Sequence, residues 1–596
     1  MLKANDILFD RRQEPRYKIP LALHLFLTSG TGTEEPHKTS LRNVSQDGLS
    51  FALPILLKPR KQYNLELQLG ADMRFHAQLK MMWTKQVKSN SYMYGGCLTY
   101  FSGAQMGLLG EFLERVRKAC AAYSERRSAE RRKIRAQLIG KEKRGMDRRF
   151  AKRFLDMKAK LSDDQKYLNA LTMPRVVITG LGIISPNGVG KEMFFKALKT
   201  NKSGISMISR FDTRLFSTHY AGEVNDTVFF AYLEKCFETQ TNGDDSTRVN
   251  LTKKRDRPVQ FAIGAAIEAL VDSGIDLTKI NRSTVGISMG TIMGGLGFAL
   301  AELGKYYRDG LRHVSPYTVA AVSPNPCSGE IAAQLRLRGP STTFSSGCTS
   351  GLNAVSYACE QIRRGNAAVM LAGGTDSPLQ EPLFAAFCRS GMLAASSNGL
   401  APIPKPMDKD RAGIVLGEGA AVLVLEDLEH ALARNARIYA EISGDANTCD
   451  GYDMVKWRWH GTEAARAIKT VLETSNLSQT DISVIFVHAT GSKEGDGMEL
   501  RALTKALGDY APKIPISNVK GLIGYCQGAC AVIELAAACL ALERGIIPAI
   551  PSFEEADKPL NISRTVRQQK LQNALVNCFG FGGKNTCVLI KKLEVA

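Results

Sequence analysis

The sequence lacks the hydrophobic segments of a membrane or secreted protein. No apolar run approaches the roughly 20 residues of a membrane-spanning helix, and residues 1–11 lack the apolar core of a secretory signal. We therefore expect a cytoplasmic protein. Its 13 cysteines include no Cys-x-x-Cys pair, and its 8 histidines do not cluster with cysteines or carboxylates. Free thiols are accordingly expected, and a structural metal site is not.

Length and charge indicate several domains of different character. A chain of 596 residues exceeds the size at which one hydrophobic core stops growing, so at least two domains are expected. Much of the net charge of +20 lies in one segment, because residues 116–160 contain 17 Lys/Arg against 5 Asp/Glu. We predict a basic, helical linker over residues 117–172, with a functional basic patch as the alternative. Since the rest of the chain is nearly neutral, nucleic acid is not an expected partner.

The residues before this linker, 1–116, alternate apolar and polar positions over short runs. Such alternation predicts half-buried strands, and a periodic apolar pattern from Met106 to Val116 predicts a closing helix. Strands are expected within residues 18–27, 63–69, 76–83 and 96–101. Together these elements predict a small β-barrel with a terminal helix.

From residue 173 onward, runs typical of buried strands alternate with helical runs. The strand runs include 175–179, 283–288, 368–372 and 484–487, and the helical runs include Val259–Asp272 and Ala529–Glu543. Alternation of this kind predicts a layered α/β architecture. We expect two similar α/β halves, residues 173–425 and 426–596.

Two short motifs near the N-terminus combine arginines with a polar turn. Arg11, Arg12 and Arg16 stand in a Pro-containing segment and can contact phosphates or stack on purine rings. The run Asn43-Val-Ser-Gln-Asp-Gly48 suits a tight turn that offers a hydroxyl and backbone N–H groups. In this order the motifs resemble the two-part signature of the PilZ family, over about residues 8–116. The resemblance implies cyclic di-GMP binding by Arg11, Arg12, Arg16, Asn43, Ser45 and Gly48.

The most informative cysteine is Cys348, in the run Ser345-Ser-Gly-Cys-Thr-Ser-Gly351. Small residues surround it and an apolar periodic run follows from Leu352 to Ile362, which predicts a strand-to-helix turn with Cys348 at the helix N-terminus. The positive end of a helix dipole favours a thiolate, and small neighbours leave room for a substrate. The pattern indicates a nucleophilic thiol rather than a small buried side chain.

Further motifs follow one another along residues 175–592. They are Arg175-Val-Val-Ile-Thr-Gly-Leu-Gly-Ile-Ile-Ser-Pro186, Phe211-Asp-Thr, Pro406-Met-Asp-Lys-Asp-Arg-Ala-Gly413, Leu416-Gly-Glu-Gly-Ala420 and Asn577-Cys-Phe-Gly-Phe-Gly-Gly-Lys-Asn585. Together with Cys348 they resemble the elongating β-ketoacyl-acyl carrier protein synthases of the thiolase superfamily. The resemblance implies a thiolase-like layered fold and an acyl thioester on Cys348. It also implies an oxyanion hole from the backbone N–H groups of Cys348 and Phe579, with Phe579 gating the acyl pocket.

The same resemblance assigns roles to residues after the strand run 484–487. His488 stands where the family has the first of two histidines that stabilise the enolate formed when malonyl loses carbon dioxide. The match further implies that Thr490 and Ser492 contact the pantetheine arm and that Asp496 shapes their loop.

The family's second catalytic histidine is absent from this chain. Its pattern Lys-Ser-x-Thr-Gly-His aligns with Lys520-Gly-Leu-Ile-Gly-Tyr525, so Tyr525 takes the histidine position. A phenol donates one hydrogen bond, as a neutral imidazole does, but it cannot become a cation. Related initiating enzymes have Asn there, which suggests that a donor suffices. Lys520 and the later Glu534 keep their family places and are expected to pair as a buried support.

The leading hypothesis is an acyltransferase in fatty acid or polyketide-like synthesis. Cys348 would take an acyl chain from a carrier and condense it with a malonyl-type extender, under control of cyclic di-GMP. The alternative is a catalytically weak homologue that acts as a nucleotide-responsive scaffold or chain-length partner; the retained Cys348 argues against it and Tyr525 argues for it. Expected partners are an acyl carrier protein and a second copy in a homodimer, with a heterodimer with another synthase as the alternative. The carrier brings 4′-phosphopantetheine, so no cofactor of the protein's own is predicted.

Overall fold

The computed structural model describes six strands of backbone between residues 24 and 100, and then residues 174–241, 255–396 and 403–593. The chain divides into two compact units, Met1–Met173 and Pro174–Ala596. The expected basic linker, the closing helix and the arginines Arg11, Arg12 and Arg16 lie outside the described residues. Among the helices that are described, none has both the length and the hydropathy of a membrane span.

The strands of the first unit form one antiparallel sheet. Their bounds are β1 (His24–Ser29), β2 (Leu41–Ser45), β3 (Gly48–Leu53), β4 (Gln62–Leu69), β5 (Met73–Lys88) and β6 (Ser91–Tyr100). The order across the sheet is β1-β4-β5-β6-β3-β2, and each expected strand run overlaps one of these elements. Asn43 and Ser45 lie on β2, and Ser45 pairs with Gly48 at the start of β3. The second N-terminal motif therefore lies at a tight hairpin, as predicted.

The second unit is built on a long mixed sheet with two small sheets beside it. Its strands are β7 (Val176–Ser185), β8 (Gly188–Val189), β9 (Ile205–Met207), β10 (Tyr220–Gly222), β11 (Val285–Gly290), β12 (Ser341–Phe344), β13 (Val369–Asp376), β14 (Gly419–Asp427), β15 (Ala440–Cys449), β16 (Val484–Phe486), β17 (Pro515–Ser517), β18 (Ile546–Ile547), β19 (Asn561–Ile562), β20 (Arg567–Gln568), β21 (Asn573–Gly580) and β22 (Lys584–Lys591). The long sheet runs β12-β11-β13-β14-β7-β15-β22-β21-β16-β17-β19.

This strand order repeats between the two halves of the sheet. The halves meet where β7 pairs antiparallel with β15. Counted outward from that junction, the strands of one half are β7, β14, β13, β11 and β12, and those of the other half are β15, β22, β21, β16 and β17. In chain order these are the first, fifth, fourth, second and third main strands of each half. In each half the second and third strands run parallel, β11 with β12 and β16 with β17. The repeated order confirms the expected pair of similar α/β halves.

Helices cover the sheet and also pass through the interior. Their bounds are α1 (Lys191–Lys199), α2 (Asp226–Thr241), α3 (Arg257–Ser273), α4 (Leu296–Asp309), α5 (Thr318–Ala321), α6 (Pro326–Leu335), α7 (Ser350–Arg363), α8 (Glu381–Arg389), α9 (Leu428–Ala433), α10 (Thr462–Thr474), α11 (Lys493–Leu507), α12 (Lys520–Ile523) and α13 (Cys530–Arg544). The two predicted helical runs correspond to α3 and α13. Helix α13 is buried from Cys530 to Leu542 and packs against α7, β14 and β21. A helix that is buried on all sides belongs between layers, which agrees with a layered fold.

The connections after parallel strands bring the predicted site together. Cys348 lies between β12 and α7, and His488 follows β16 by two residues. Lys520 and Tyr525 lie between β17 and α13. Because side chains beyond the carboxyl ends of parallel strands gather at one edge of a sheet, residues far apart in sequence meet there.

Candidate active site

The turn that carries Cys348 is held by a small network of hydroxyl groups. Gly347 adopts a positive φ of 76°, which reverses the chain just before the cysteine. The Ser350 hydroxyl oxygen accepts from the backbone N–H of Ser346 at 2.9 Å and donates to the carbonyl of Gly347 at 2.5 Å. Helix α7 begins at Ser350, so the predicted strand-to-helix turn is confirmed.

Three groups near the Cys348 sulfur act to lower the pKa of its thiol. They are the hydroxyl of Tyr525 and the backbone N–H groups of Phe581 and of Cys348 itself. Burial raises the pKa of the thiol to about 11 although these donors favour the thiolate. Burial therefore opposes the thiolate that a helix N-terminus favours. The thiol is protonated at neutral pH, because its side chain is only 8% exposed and desolvation outweighs the donors.

The glycine-rich segment after β21 approaches Cys348 closely. A Cβ on Gly580 would lie 2.9 Å from Cβ and 3.2 Å from Sγ of Cys348, so only glycine allows this approach. Phe581, one residue further on, donates its N–H to the sulfur and is half-buried, whereas the side chain of Phe579 is fully buried in the core. Phe581 thus adjoins the thiol, while the ring of Phe579 lies 6.1 Å from that of His488, and the oxyanion-hole and gating roles expected for Phe579 stay predictions.

His488 lies beside this turn with its ring enclosed by other rings. The imidazole is 5.9 Å from the ring of Tyr525, 6.1 Å from Phe579 and 6.3 Å from Trp457, centroid to centroid. Burial and the nearby charge of Lys520 hold the pKa of His488 well below its ordinary value. The imidazole is therefore neutral and can donate one hydrogen bond from a single ring nitrogen.

A carboxylate that the sequence analysis did not single out holds the His488 backbone. Glu499 of α11 accepts from the N–H of His488 at 2.9 Å and from the N–H of Ala489 at 2.8 Å. Asn518 adds two hydrogen bonds to carbonyls on either side of His488, at 3.1 Å to Val487 and 2.9 Å to Ala489. These contacts position the histidine without touching its ring.

The predicted pair of Lys520 and Glu534 is present and fully enclosed. The Lys520 ammonium donates to Glu534 Oε1 at 2.8 Å and to the carbonyl of Val487 at 3.2 Å. The backbone N–H of Val519 donates to the same carboxylate oxygen at 3.0 Å, whereas Glu534 Oε2 has no hydrogen-bond partner. Burial opposes the charge on Lys520, but the adjacent carboxylate raises its pKa, so the pair is ionised.

Tyr525 occupies the position expected for a second histidine. The preceding Gly524 has a φ of 75°, and the Tyr525 N–H donates to the carbonyl of Val415 at 2.7 Å. The carbonyl of Tyr525 accepts from Gly417 at 3.0 Å, so both sides of its backbone are held. Burial raises the pKa of the phenol well above its ordinary value, with a further contribution from Cys348. The hydroxyl is thus a neutral donor that already contacts the Cys348 sulfur.

The loop with Thr490 and Ser492 is organised by Asp496, as expected. Asp496 accepts from the N–H of Thr490 at 2.9 Å and from the N–H of Gly491 at 3.2 Å. It also accepts from Met407 at 2.9 Å, which ties the loop to the Pro406–Gly413 motif. The hydroxyl of Thr490 lies 3.2 Å from that of Ser492. Burial raises the pKa of Asp496 to about 6, although its backbone donors favour the carboxylate.

Two further thiols adjoin the site. Cys578 lies 3.2 Å from the carbonyl oxygen of Cys348 and 3.7 Å from Nδ1 of His488, and it contacts Cys530 of α13. Sequence reasoning expected both only as free thiols, and no local pattern distinguishes them. Within the described ranges, no group of three His, Cys, Asp or Glu side chains is arranged to hold a metal ion.

The long mixed sheet with its repeated strand order is the layered fold expected of the thiolase superfamily. Residues 173–431 match the family model of the beta-ketoacyl synthase N-terminal domain, residues 439–554 match that of the C-terminal domain, and residues 10–115 match the PilZ domain. The chain belongs to the beta-ketoacyl synthase family and carries an N-terminal PilZ domain.

Individual relatives and solved structures agree with this assignment. The chain is 34% identical to 3-oxoacyl-(acyl-carrier-protein) synthase 2 of Vibrio harveyi, over 70% of this chain and 99% of that protein. It is 33% identical to the tetracenomycin polyketide synthase ketoacyl synthase alpha subunit of Streptomyces glaucescens, over 70% of this chain and 97% of that protein. Among solved structures, the ishigamide ketosynthase/chain length factor covers 71% of this chain and 100% of its own, with a TM-score of 0.64 and 30% identity. A type II PKS acyl-carrier protein in complex with its ketosynthase, with the same coverage of both chains, gives 0.63 and 26%.

Proposed function

We propose that the protein condenses an acyl chain held on Cys348 with a malonyl-type extender delivered by an acyl carrier protein. The observation that carries this proposal is that Cys348, His488 and Tyr525 gather in one buried site, with the rings of His488 and Tyr525 5.9 Å apart and Cys578 in contact with both Cys348 and His488. A nucleophilic thiol beside neutral donors for a developing oxyanion is what acyl transfer requires. The similarity to a type II PKS acyl-carrier protein in complex with its ketosynthase supports the choice of carrier.

In the first step the Cys348 sulfur attacks the carbonyl carbon of the acyl-carrier thioester. The carbonyl electron pair moves to oxygen, where the N–H groups of Cys348 and Phe581 stabilise the developing charge. When this pair returns, the bond to the pantetheine sulfur breaks. The pantetheine leaves as a thiol with the proton that Cys348 lost, and the acyl group stays on Cys348.

In the second step the malonyl thioester loses carbon dioxide. The electron pair of the broken carbon–carbon bond becomes an enolate, whose oxygen is stabilised by neutral donors from His488 and Tyr525. The enolate carbon then attacks the acyl carbonyl on Cys348, and the carbon–sulfur bond breaks to release the β-ketoacyl product. The Cys348 thiolate then takes a proton from solvent water and returns to its resting thiol.

Intact-mass analysis after incubation with acyl-carrier thioesters tests the first step. Wild type should gain one acyl group and Cys348→Ala none. Cys359→Ala is the matched control, since Cys359 is a buried thiol on the same helix α7 and should not affect loading. An adduct that persists in Cys348→Ala would disprove the assignment.

A second function, a nucleotide-responsive scaffold or chain-length partner, is favoured by one observation. Tyr525 stands where a histidine is expected, and the thiol beside it has a pKa of about 11. The similarity to the solved ishigamide ketosynthase/chain length factor supports a role for the chain as one member of such a pair. Wild type that acylates but releases no carbon dioxide from malonyl carrier would establish this function instead.

The PilZ domain supplies the regulatory part of the proposal. We expect it to bind cyclic di-GMP through the N-terminal arginines and the hairpin at Asn43, Ser45 and Gly48. Loss of one charge-assisted contact costs about 1.5–3 kcal/mol, or roughly 10- to 150-fold in affinity. Calorimetry should show this loss for Arg16→Ala and no loss for Arg60→Ala, which lies outside both motifs. Equal affinity of both variants to wild type would place the site elsewhere.

A homodimer is the proposed assembly of the synthase unit. Within the described chain β12 pairs on one side only, with β11, and an unpaired edge strand offers backbone groups to a second copy. Segment 303–319 adds exposed apolar side chains: Leu303, Tyr306, Tyr307, Leu311, Tyr317 and Val319. Light scattering should report a dimer that Leu311→Glu weakens and Leu215→Glu, elsewhere on the surface, does not. A wild-type monomer would contradict the homodimer and favour a different partner.

A further inference from the structure

The segment between β15 and α10 carries two tryptophans in opposite surroundings. The ring of Trp457 is half-buried and lies 6.3 Å from the rings of both His488 and Phe581, centroid to centroid. Trp459 is 59% exposed, and the guanidinium of Arg501 lies 3.2 Å from its ring centroid. One ring therefore faces the proposed site and the other faces solvent.

The segment is fastened to the glycine-rich loop that carries Phe581. The N–H of Gly582 donates to the carbonyl of Met454 at 2.7 Å, and the N–H of Asp450 donates to Gly583 at 2.8 Å. The Asp453 side chain accepts from the N–H groups of Val455 and Lys456, both at 2.8 Å. These bonds close a turn just before Trp457, so the backbone that carries the indole is fixed in position.

The indole also borders the loop proposed to contact the pantetheine arm. A Cβ on Gly495, in the first turn of α11, would lie 3.3 Å from the Trp457 ring and 2.7 Å from the Ser492 hydroxyl oxygen. The ring thus adjoins Ser492 on one side and His488 on another. A thioester arm that passes Ser492 to bring its carbonyl to His488 passes this ring.

We propose that Trp457 is a specificity-determining residue that limits the bulk an extender unit carries on its α-carbon. This inference rests on the proposed condensing function. The α-carbon of the extender is bonded to the carbonyl carbon, and the oxygen of that carbonyl accepts from His488. A substituent on the α-carbon therefore points at the side of the site next to the histidine. With the indole in that wall, malonyl fits and an α-alkylated malonyl collides. One methylene group in such a pocket is discriminated by about 10- to 200-fold.

Carbon dioxide release from malonyl and methylmalonyl thioesters of pantetheine measures this directly. Wild type should prefer malonyl. Trp457→Ala should raise the methylmalonyl-to-malonyl ratio of kcat/KM by about tenfold or more, with Trp457→Phe in between. Trp459→Ala, from the same segment, is the matched control and should leave the ratio unchanged. An unchanged ratio in Trp457→Ala, or an equal rise in Trp459→Ala, would overturn the proposal.

A second measurement separates this inference from the proposed function. Alkylation of Cys348 by iodoacetamide and by N-benzylmaleimide, followed at the Cys348 peptide by mass spectrometry, requires no condensation. Trp457→Ala should raise the rate of alkylation by N-benzylmaleimide, relative to that by iodoacetamide, about tenfold, and Trp459→Ala should not. If wild type releases no carbon dioxide, the proposed condensing function is refuted. The ratio of the two alkylation rates then decides by itself whether Trp457 restricts access to Cys348. Equal ratios in wild type and Trp457→Ala would then refute it.

Discussion

Replacing Tyr525 by Phe tests the part of the site that departs most from the family pattern. The substitution removes the hydroxyl that hydrogen-bonds to Cys348 and keeps the ring, which packs edge-on against His488 at 5.9 Å. Two consequences follow from the loss of one donor. The thiolate of Cys348 becomes less stable, and the enolate oxygen loses one of its two proposed donors.

The size of the first effect follows from the thiol itself. With a pKa of about 11, roughly one molecule in a thousand carries the thiolate at pH 8. A hydrogen bond to a charged group contributes about 1.5–3 kcal/mol, so its loss raises the pKa of Cys348 by about one to two units. The remaining thiolate is a stronger nucleophile, which restores part of the rate. Alkylation at pH 8 should therefore fall only about 3- to 10-fold.

The second effect is larger and separates loading from condensation. Removal of one donor to a developing oxyanion typically costs about 10²–10³ in rate. Iodoacetamide alkylation between pH 7 and 10 reports the thiol, and carbon dioxide release from malonyl carrier reports the enolate. Tyr525→His should restore or raise carbon dioxide release. If Tyr525→Phe matches wild type in both assays, Tyr525 only fills space and the reasoning is refuted.

Two further predictions concern the buried supports of the site. Lys520→Met leaves Glu534 enclosed without its cation and should lower the free energy of unfolding by about 3–5 kcal/mol. Urea denaturation should show that the double variant Lys520→Met/Glu534→Leu regains part of the lost free energy of unfolding. An equal loss in the single and the double variant would contradict the ion-pair argument. Burial raises the pKa of Glu499 to about 7, so between pH 4.5 and 7 the folded state binds a proton that the unfolded state releases. Stability should then fall as pH rises through that window, and Glu499→Gln should flatten the fall; an unchanged slope in denaturation midpoints would contradict the assignment.

Features set by neighbouring residues were predictable from the sequence. The apolar runs located α3 and α13, and the glycine and serine residues around Cys348 located its turn. The spacing of Lys520 and Glu534 within the family pattern predicted their contact, which the structure shows at 2.8 Å. Asp496 behaves in the same way, because a carboxylate a few residues after Thr490 can accept from that loop's own N–H groups.

Features made by distant segments were not predictable. Glu499 reaches the His488 backbone across a loop and a helical turn, and nothing in its neighbourhood marks it. The sequence contains two phenylalanines in Phe579-Gly-Phe581, and the end of β21 at Gly580 leaves Phe579 within the strand and Phe581 beyond it. Likewise, the helix-dipole argument for Cys348 considered one stabilising influence and left out burial, which is a property of the whole fold.

The site as folded keeps Cys348, His488 and Tyr525 neutral and places a compensated ion pair behind them. Burial raises the pKa values of Cys348 and Tyr525 and lowers that of His488, so all three are uncharged at rest. The charges of Lys520 and Glu534 compensate each other. In the proposed reaction, negative charge on the reacting groups would arise only in a thiolate, a tetrahedral oxyanion or an enolate, when donors from Tyr525, His488 and Phe581 would be most effective. Because such donors are already oriented in a site of low dielectric, they stabilise a transient anion more than a resting neutral group. If the proposed condensation holds, a tyrosine can replace the histidine here, since enolate stabilisation then requires a neutral donor and not a cation.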